Sequence, residues 1–278
     1  MHCYVINLPT AVARRGRVAH ELETCCPDVS WSVPRMFVAS DMTDEQLTDV
    51  YDSKRAWELH GYEMSRGEIA CALSHQSALR TFLGTDAEIC LIVEDDVVFS
   101  PAVGRFLKSV DAWFSGRRTL PLCVMLSEVS AIRLWNAKSM DGEFRLSKVI
   151  DGCGAIAYVV NRKGAETILK ANAIPLTTTS DDWAFYKRNG LVVLGVDRVL
   201  AGSNDFGRED SSLSEGRRMM YEAMRGRRAR VPFLFAKIRA VCVRLKLFWW
   251  WVSGVDRKGV NRSNERLYLM DRRKDVNL

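Results

Sequence analysis

The chain has 278 residues, 47% of them hydrophobic and 27% charged, which supplies a full α/β core and excludes a globally disordered protein. Its formal net charge of +6 is uneven: from Arg217 onward about 17 Lys and Arg face about 5 Asp and Glu, so that stretch carries roughly +12 and the preceding body roughly −6. The eight cysteines form no C-x-x-C pair and no Cys/His cluster with zinc-ligand spacing, so they read as reduced thiols of a cytosolic protein. Cys3-Tyr4-Val5-Ile6 already has strand character, leaving no room for a signal peptide.

Short apolar runs alternate with helical patterns along the chain, as in βαβ architectures. Tyr4–Leu8 reads as the first strand and Ala11–Thr24 as the first helix. Trp31–Ala39 contains a second strand that ends near Ser40-Asp41. Thr43–Leu59 is polar, and Asp44 and Glu45 suit an early helical turn. In Glu68–Leu83, the positions Ile69, Ala72, Leu73, Ala78, Leu79 and Phe82 make an apolar stripe at helical spacing. Glu88–Val93 is almost wholly apolar, as expected of a strand covered on both faces. A helix over Val103–Phe114 follows, then strands over Leu122–Leu126 and Ala155–Val160, a helix over Arg162–Ala171 and a late strand over Gly190–Val196. The composition breaks near Glu215–Arg217, which divides the chain into a body (1–215) and a basic, aromatic, partly helical extension (216–278).

Three stretches carry chemistry. Glu94-Asp95-Asp96 follows the buried strand directly. Adjacent carboxylates in a dry site repel one another, and a hard divalent cation such as Mn²⁺ or Mg²⁺ relieves that conflict. Ligands of open α/β sheets bind beyond the strands' carboxyl ends, where this triplet falls. The competing reading is a solvated turn or the first turn of a helix. Around Arg66–His75, core packing competes with a site role for Glu68 and His75. Thr177–Trp183 is a natural helix N-terminus, and it equally offers Asp181 or Asp182 as a base for an acceptor hydroxyl.

Taken together, these stretches resemble glycosyltransferase family 25, the family of bacterial lipooligosaccharide β-galactosyltransferases. The likeness runs in order through Val5-Ile6-Asn7-Leu8 with Arg14-Arg15, Phe37–Asp41, Glu68–Cys71 with Ser74-His75, Val93–Val97, Gly154–Val160 and Asp181 with Phe185, with a weaker match at Asp210–Leu213. The resemblance implies a GT-A-type, Rossmann-like nucleotide-sugar-binding fold and a metal-bound UDP-sugar donor. Asp96 is then the direct metal ligand, while Glu94 faces the ribose or the metal shell and Asp95 joins the donor site. Asn7, Leu8 and Asp41 surround the nucleoside, Arg14 stabilises the diphosphate, and Glu68 and His75 line the donor site. The implied reaction transfers a hexose, galactose ahead of glucose, with inversion to a hydroxyl of a lipid-linked oligosaccharide.

The extension pairs bulky apolar runs, Val231–Phe235 and Leu247–Val252, with many Arg and Lys. No run approaches the roughly 20 residues of a spanning helix. Interfacial Trp and Arg suit an anionic membrane surface and a peripheral place on the inner face of the bacterial inner membrane. Packing of these aromatics on the body is the alternative. Two other functions remain as rivals, a metal-dependent nucleotide phosphohydrolase and a basic-tailed nucleic-acid-binding protein.

Overall fold

The computed structural model describes residues 1–133, 137–152, 154–203 and 255–256. Its centre is a sheet built on β1 (His2–Ile6), β2 (Ser30–Ser32), β3 (Ile89–Glu94), β5 (Leu122–Met125), β9 (Ala157–Asn161) and β10 (Val192–Val196). The strand order is β2-β1-β3-β9-β5-β10, with β2, β1 and β3 parallel, β10 parallel to β5, and β9 antiparallel to both β3 and β5. Beyond β10 the sheet continues antiparallel through β8 (Arg145–Asp151) and β6 (Ala131–Arg133), with β7 (Lys138–Ser139) also on β8. The outermost strand, β12 (Val255–Asp256), belongs to the basic extension and pairs with β6. The 215/216 boundary lies outside the described residues, as do both apolar runs of the extension.

Alternation along the two central strands sorts the core into two faces. Cys3, Val5, Leu91 and Val93 point to one side, where α1 (Val12–Cys25) and α5 (Val103–Ser115) cover them with Val18, Leu22, Phe106 and Val110. Tyr4, Cys90 and Ile92 point to the other, covered by α4 (Arg66–Leu83), α6 (Arg162–Ala171) and α7 (Trp183–Arg188) through Leu79, Phe82, Ile168, Trp183 and Tyr186. Burial on both faces explains why β3 lacks polar residues until Glu94, and each such aliphatic side chain contributes about 1.5–3 kcal/mol. Six described cysteines are free thiols, and Cys3, Cys90 and Cys123 sit in this core as small hydrophobes.

The polar stretch after β2 forms a cap over α4. Past a 3₁₀ turn (Ala39–Asp41), Thr43 and Gln46 make a reciprocal capping box at the start of α2 (Asp44–Val50), and Asp52 caps α3 (Ser53–His60). Met42, Met64 and Leu176 close over Ile69 and Leu73, so α4 is buried between this cap and the sheet. The structure shortens the second strand to Ser30–Ser32 and moves the first to His2–Ile6, because Asn7 and Leu8 already turn toward α1.

Gly164 shows how closely helix and sheet approach. A Cβ there would meet the Leu122 carbonyl oxygen at 2.4 Å and the Val160 side chain at 2.9 Å. A Gly→Ala exchange in an ordinary helix stabilises, whereas Gly164→Ala is expected to cost about 1–3 kcal/mol through overpacking. A urea unfolding midpoint equal to or above that of the unmodified protein would contradict this.

Candidate functional site

The cleft that gathers the chemistry follows from the pairing of β1 with β3. Their parallel register sets Ile6 opposite Glu94, so the next residues, Asn7 and Asp95, leave the sheet side by side. The Asn7 amide donates to Asp95 Oδ2 at 2.7 Å and to the Ala11 carbonyl at 3.1 Å. Arg14, in the first turn of α1, places its guanidinium 3.3 Å from Asp95 Oδ1. Asp95 is only 8% exposed, so its negative charge is carried by a buried amide and a positive partner.

Its two neighbours diverge. Glu94 Oε1 lies 3.4 Å from Nε2 of His75, which is buried on α4. Asp96 turns the other way and accepts from the Ser203 hydroxyl on β11 (Ala201–Ser203), a strand that pairs antiparallel with β4 (Val97–Phe99) just after the turn. The three acidic residues therefore reach three different elements and all line one cleft of about 390 Å³, a volume within the range of small-molecule sites. Its opposite wall is mostly apolar, running from Met36 to Ser40, and its floor is the small-residue face of α4 at Gly67, Ala70, Cys71 and Ser74. Ser74 Oγ accepts from the Phe37 amide at 3.0 Å and donates to the Ala70 carbonyl, which fastens that wall to the helix.

The remaining predicted residues fall as follows. Leu8 lines the cleft beside Arg14. Asp41 is exposed on the 3₁₀ turn, its Oδ1 accepting from Ser40, while Ala39 and Ser40 rather than Asp41 face the cleft. Glu68 completes the capping box of α4, accepting from the amide and hydroxyl of Ser65 at 2.9 and 3.0 Å. His75 sits behind the floor, with Nδ1 3.1 Å from the Tyr158 hydroxyl. Burial alone would lower its pKa; the nearby Cys71 sulfur and Glu94 carboxylate outweigh that and raise it to about 10.

The two aspartates near residue 180 part company. Asp182 is the N-cap of α7, accepting from the Phe185 amide at 2.9 Å and from the Thr178 hydroxyl at 2.9 Å, with His60 Nδ1 3.3 Å away. Asp181 accepts from the amide of Gly154, whose φ of +88° suits glycine alone, and the Trp183 indole returns a bond to the Gly154 carbonyl. The preceding Ser180 brings its hydroxyl 3.9 Å from Cys71 Sγ on the cleft floor. Sequence reasoning gave Cys71 no role of its own and passed over Ser203 altogether. The i, i+4 spacing of Cys71 and His75 on one helix face was the available signal for the first; Ser203 is delivered by strand pairing that no local pattern announces.

Fold and cleft together define an α/β protein with an acidic cleft at the carboxyl ends of its parallel strands. The chain belongs to glycosyltransferase family 25: the pattern of that family, described as LPS biosynthesis protein, matches residues 1–183. It is 26% identical over 180 residues to the lipooligosaccharide biosynthesis protein lic2B of Haemophilus influenzae, covering 63% of this chain and 64% of that one. It is also 26% identical over 190 residues to a glycosyltransferase 25 family member of Anopheles gambiae, covering 66% of this chain and 31% of the mosquito protein. A family member of Aedes aegypti is 30% identical over 115 residues, 39% of this chain and 18% of its own length. The chain thus spans less than two thirds of each of these relatives.

Capping and chemistry separate the neighbouring aspartates experimentally. Asp182→Ala is expected to lower stability by about 1–2 kcal/mol through loss of the cap, while Asp181→Asn leaves the thermal midpoint within a degree or two of the parent. A larger stability loss at Asp181 than at Asp182 would reverse the assignment.

Proposed function

We propose that this chain transfers a hexose, galactose ahead of glucose, from a UDP-sugar to a hydroxyl of a lipid-linked oligosaccharide of the lipopolysaccharide class, with inversion at the anomeric carbon. The observation that carries this reading is the cleft itself, where Glu94, Asp96 and Arg14 face a mostly apolar wall across about 390 Å³. Membership of family 25 supports the reaction class, and the name of the Haemophilus relative supports the acceptor class.

The donor set suits Mn²⁺ or Mg²⁺. Asp95 is held by Asn7 and Arg14, while the carboxylates of Asp96 and Glu94, which also line the cleft, would supply hard oxygen ligands to such an ion. Bound there, the ion would supply positive charge to offset the charge that develops on the diphosphate as the sugar departs. Arg14 adds positive charge from α1 in an orientation fixed by Asp95. Leu8 and the wall from Met36 to Ser40 receive the nucleoside. Asp181, on the segment resting against Cys71, accepts the proton of the attacking hydroxyl, and Asp182 keeps the start of α7 in place.

The acceptor's lipid and the basic extension together favour a peripheral site on the cytoplasmic membrane face, reached through anionic lipid. No helix among the described residues is long and apolar enough to cross a membrane.

A donor screen with purified protein and Mn²⁺, following UDP release and the glycosidic product with and without lipooligosaccharide acceptors, tests this reading. Asp96→Ala should lose metal-dependent turnover. Asp181→Ala should lose about 10²–10⁴-fold in turnover while still binding UDP, as removal of a general base does. Full activity in the Asp96 variant removes the metal assignment, and release of inorganic phosphate without a glycoside points to a phosphohydrolase. Deleting residues 217–278 should free the protein from anionic vesicles; complete cosedimentation of the truncated form would exclude the extension as the anchor.

A further inference from the structure

At the floor of the cleft lies a second group of ligating atoms that the proposed reaction does not use as a set. Cys71 and His75 are one helical turn apart on α4, and Glu94 ends β3 beside them. One ligand atom from each, the Cys71 sulfur, a His75 ring nitrogen and a Glu94 oxygen, lies within 4.8 Å of the other two. Among the described residues this is the group of three that meets such a spacing. Sequence spacing alone gave no zinc pattern, because the third ligand comes from a strand reached only through the fold.

Three further observations favour a metal over accidental packing. His75 is 2% exposed, and its Nε2 makes no hydrogen bond of good geometry, with Glu94 Oε1 standing 3.4 Å away. Two ligands about 2.1 Å from a tetrahedral zinc lie about 3.4 Å apart, so nitrogen and oxygen already stand at ligand spacing. The ring is also fixed from behind, since Nδ1 meets the Tyr158 hydroxyl at 3.1 Å and Tyr158 packs edge-on to Trp183 at 5.3 Å. A partner on the distal ring nitrogen is what orients metal-binding histidines.

We propose that Cys71, His75 and Glu94 form a binding site for Zn²⁺, separate from the hard-cation site at Asp96 and sharing only Glu94 with it. The mixed sulfur, nitrogen and oxygen set selects a borderline ion, whereas Mn²⁺ and Mg²⁺ select oxygen. Binding displaces the proton of the Cys71 thiol and the proton on His75 Nε2, both released to solvent. Three protein ligands leave a fourth position, which opens toward the cleft through Glu94, the more exposed of the pair at 30%. An ion there ties α4 to the acidic turn and draws the Glu94 carboxylate toward the helix. This goes beyond the donor reading and stands on the geometry of α4 and β3 alone.

The test uses the full chain, stripped of metal and titrated with Co²⁺ as a spectroscopic stand-in for Zn²⁺. One equivalent should give thiolate-to-cobalt charge-transfer absorption together with the visible bands of tetrahedral cobalt. The charge-transfer band should vanish in Cys71→Ser and persist in Asp96→Ala. In the unsubstituted protein, one equivalent of Zn²⁺ should slow alkylation of Cys71 at least tenfold, located by peptide mass spectrometry. No thiolate band in the parent, an undiminished band in Cys71→Ser, or unchanged alkylation of Cys71 each overturns the site. A thiolate band in a protein that fails to bind UDP leaves this site standing and removes the donor reading.

Discussion

Charge compensation at the turn after β3 is the constraint on which the rest of this structure depends. Three successive carboxylates leave a strand whose preceding residues, Leu91 to Val93, are fully buried. Two unit charges about 4 Å apart interact by about 4 kcal/mol at a protein-like effective dielectric, so separating these carboxylates and giving each a partner relieves their repulsion. Each acid instead recruits a different element: Asp95 holds Asn7 and Arg14, Glu94 meets His75 on α4, and Asp96 receives Ser203 from β11. Neutralising the turn thus also positions the end of β1, the first turns of α1, the cleft floor and the small β4–β11 sheet.

The same economy shapes α4. Its cleft face is made of Gly67, Ala70, Cys71 and Ser74, whose small side chains leave room above the helix. Its opposite flank carries Leu79 and Phe82 into the sheet core, and its cap-side residues Ile69 and Leu73 are covered by Met42, Met64 and Leu176. A helix buried on so many sides is a rigid platform. Ser74 passes that rigidity to the cleft wall by accepting from the Phe37 amide. Rigid support of this kind is what holds a binding constellation within tolerance.

Where periodicity was strong, the sequence was readable. The strand expected over Glu88–Val93 is Ile89–Glu94, and the helix expected over Glu68–Leu83 is Arg66–Leu83, two residues longer because Ser65 supplies the cap. Thr43–Leu59 offered only an early helical turn, since two short helices held by local caps leave little hydrophobic signal. The strands between residues 131 and 151 went unread, being short edge segments whose partners are remote in sequence. An α/β sheet was foreseen, but the antiparallel insertion of β9 between β3 and β5 was not, because strand direction is set by the connections and not by the strand's own residues. In the site, the acidic triplet announced itself by following an apolar strand, whereas the separate destination of each carboxylate depended on tertiary neighbours.

The adjacent pair Asp181-Asp182 shows how local hydrogen bonding divides labour that sequence leaves undivided. Both follow the Thr/Ser run, and either suits a helix N-terminus. The register of α7 decides, because the residue whose side chain reaches the Phe185 amide must stand three positions before it. Asp182 fills that position, and its second oxygen is engaged by Thr178 and faced by His60. Moving a proton onto it would weaken all three contacts at once. Asp181 gives one oxygen to Gly154 and follows Ser180, whose hydroxyl stands 3.9 Å from Cys71 Sγ, so the proposed proton acceptor is the aspartate whose charge the helix does not need.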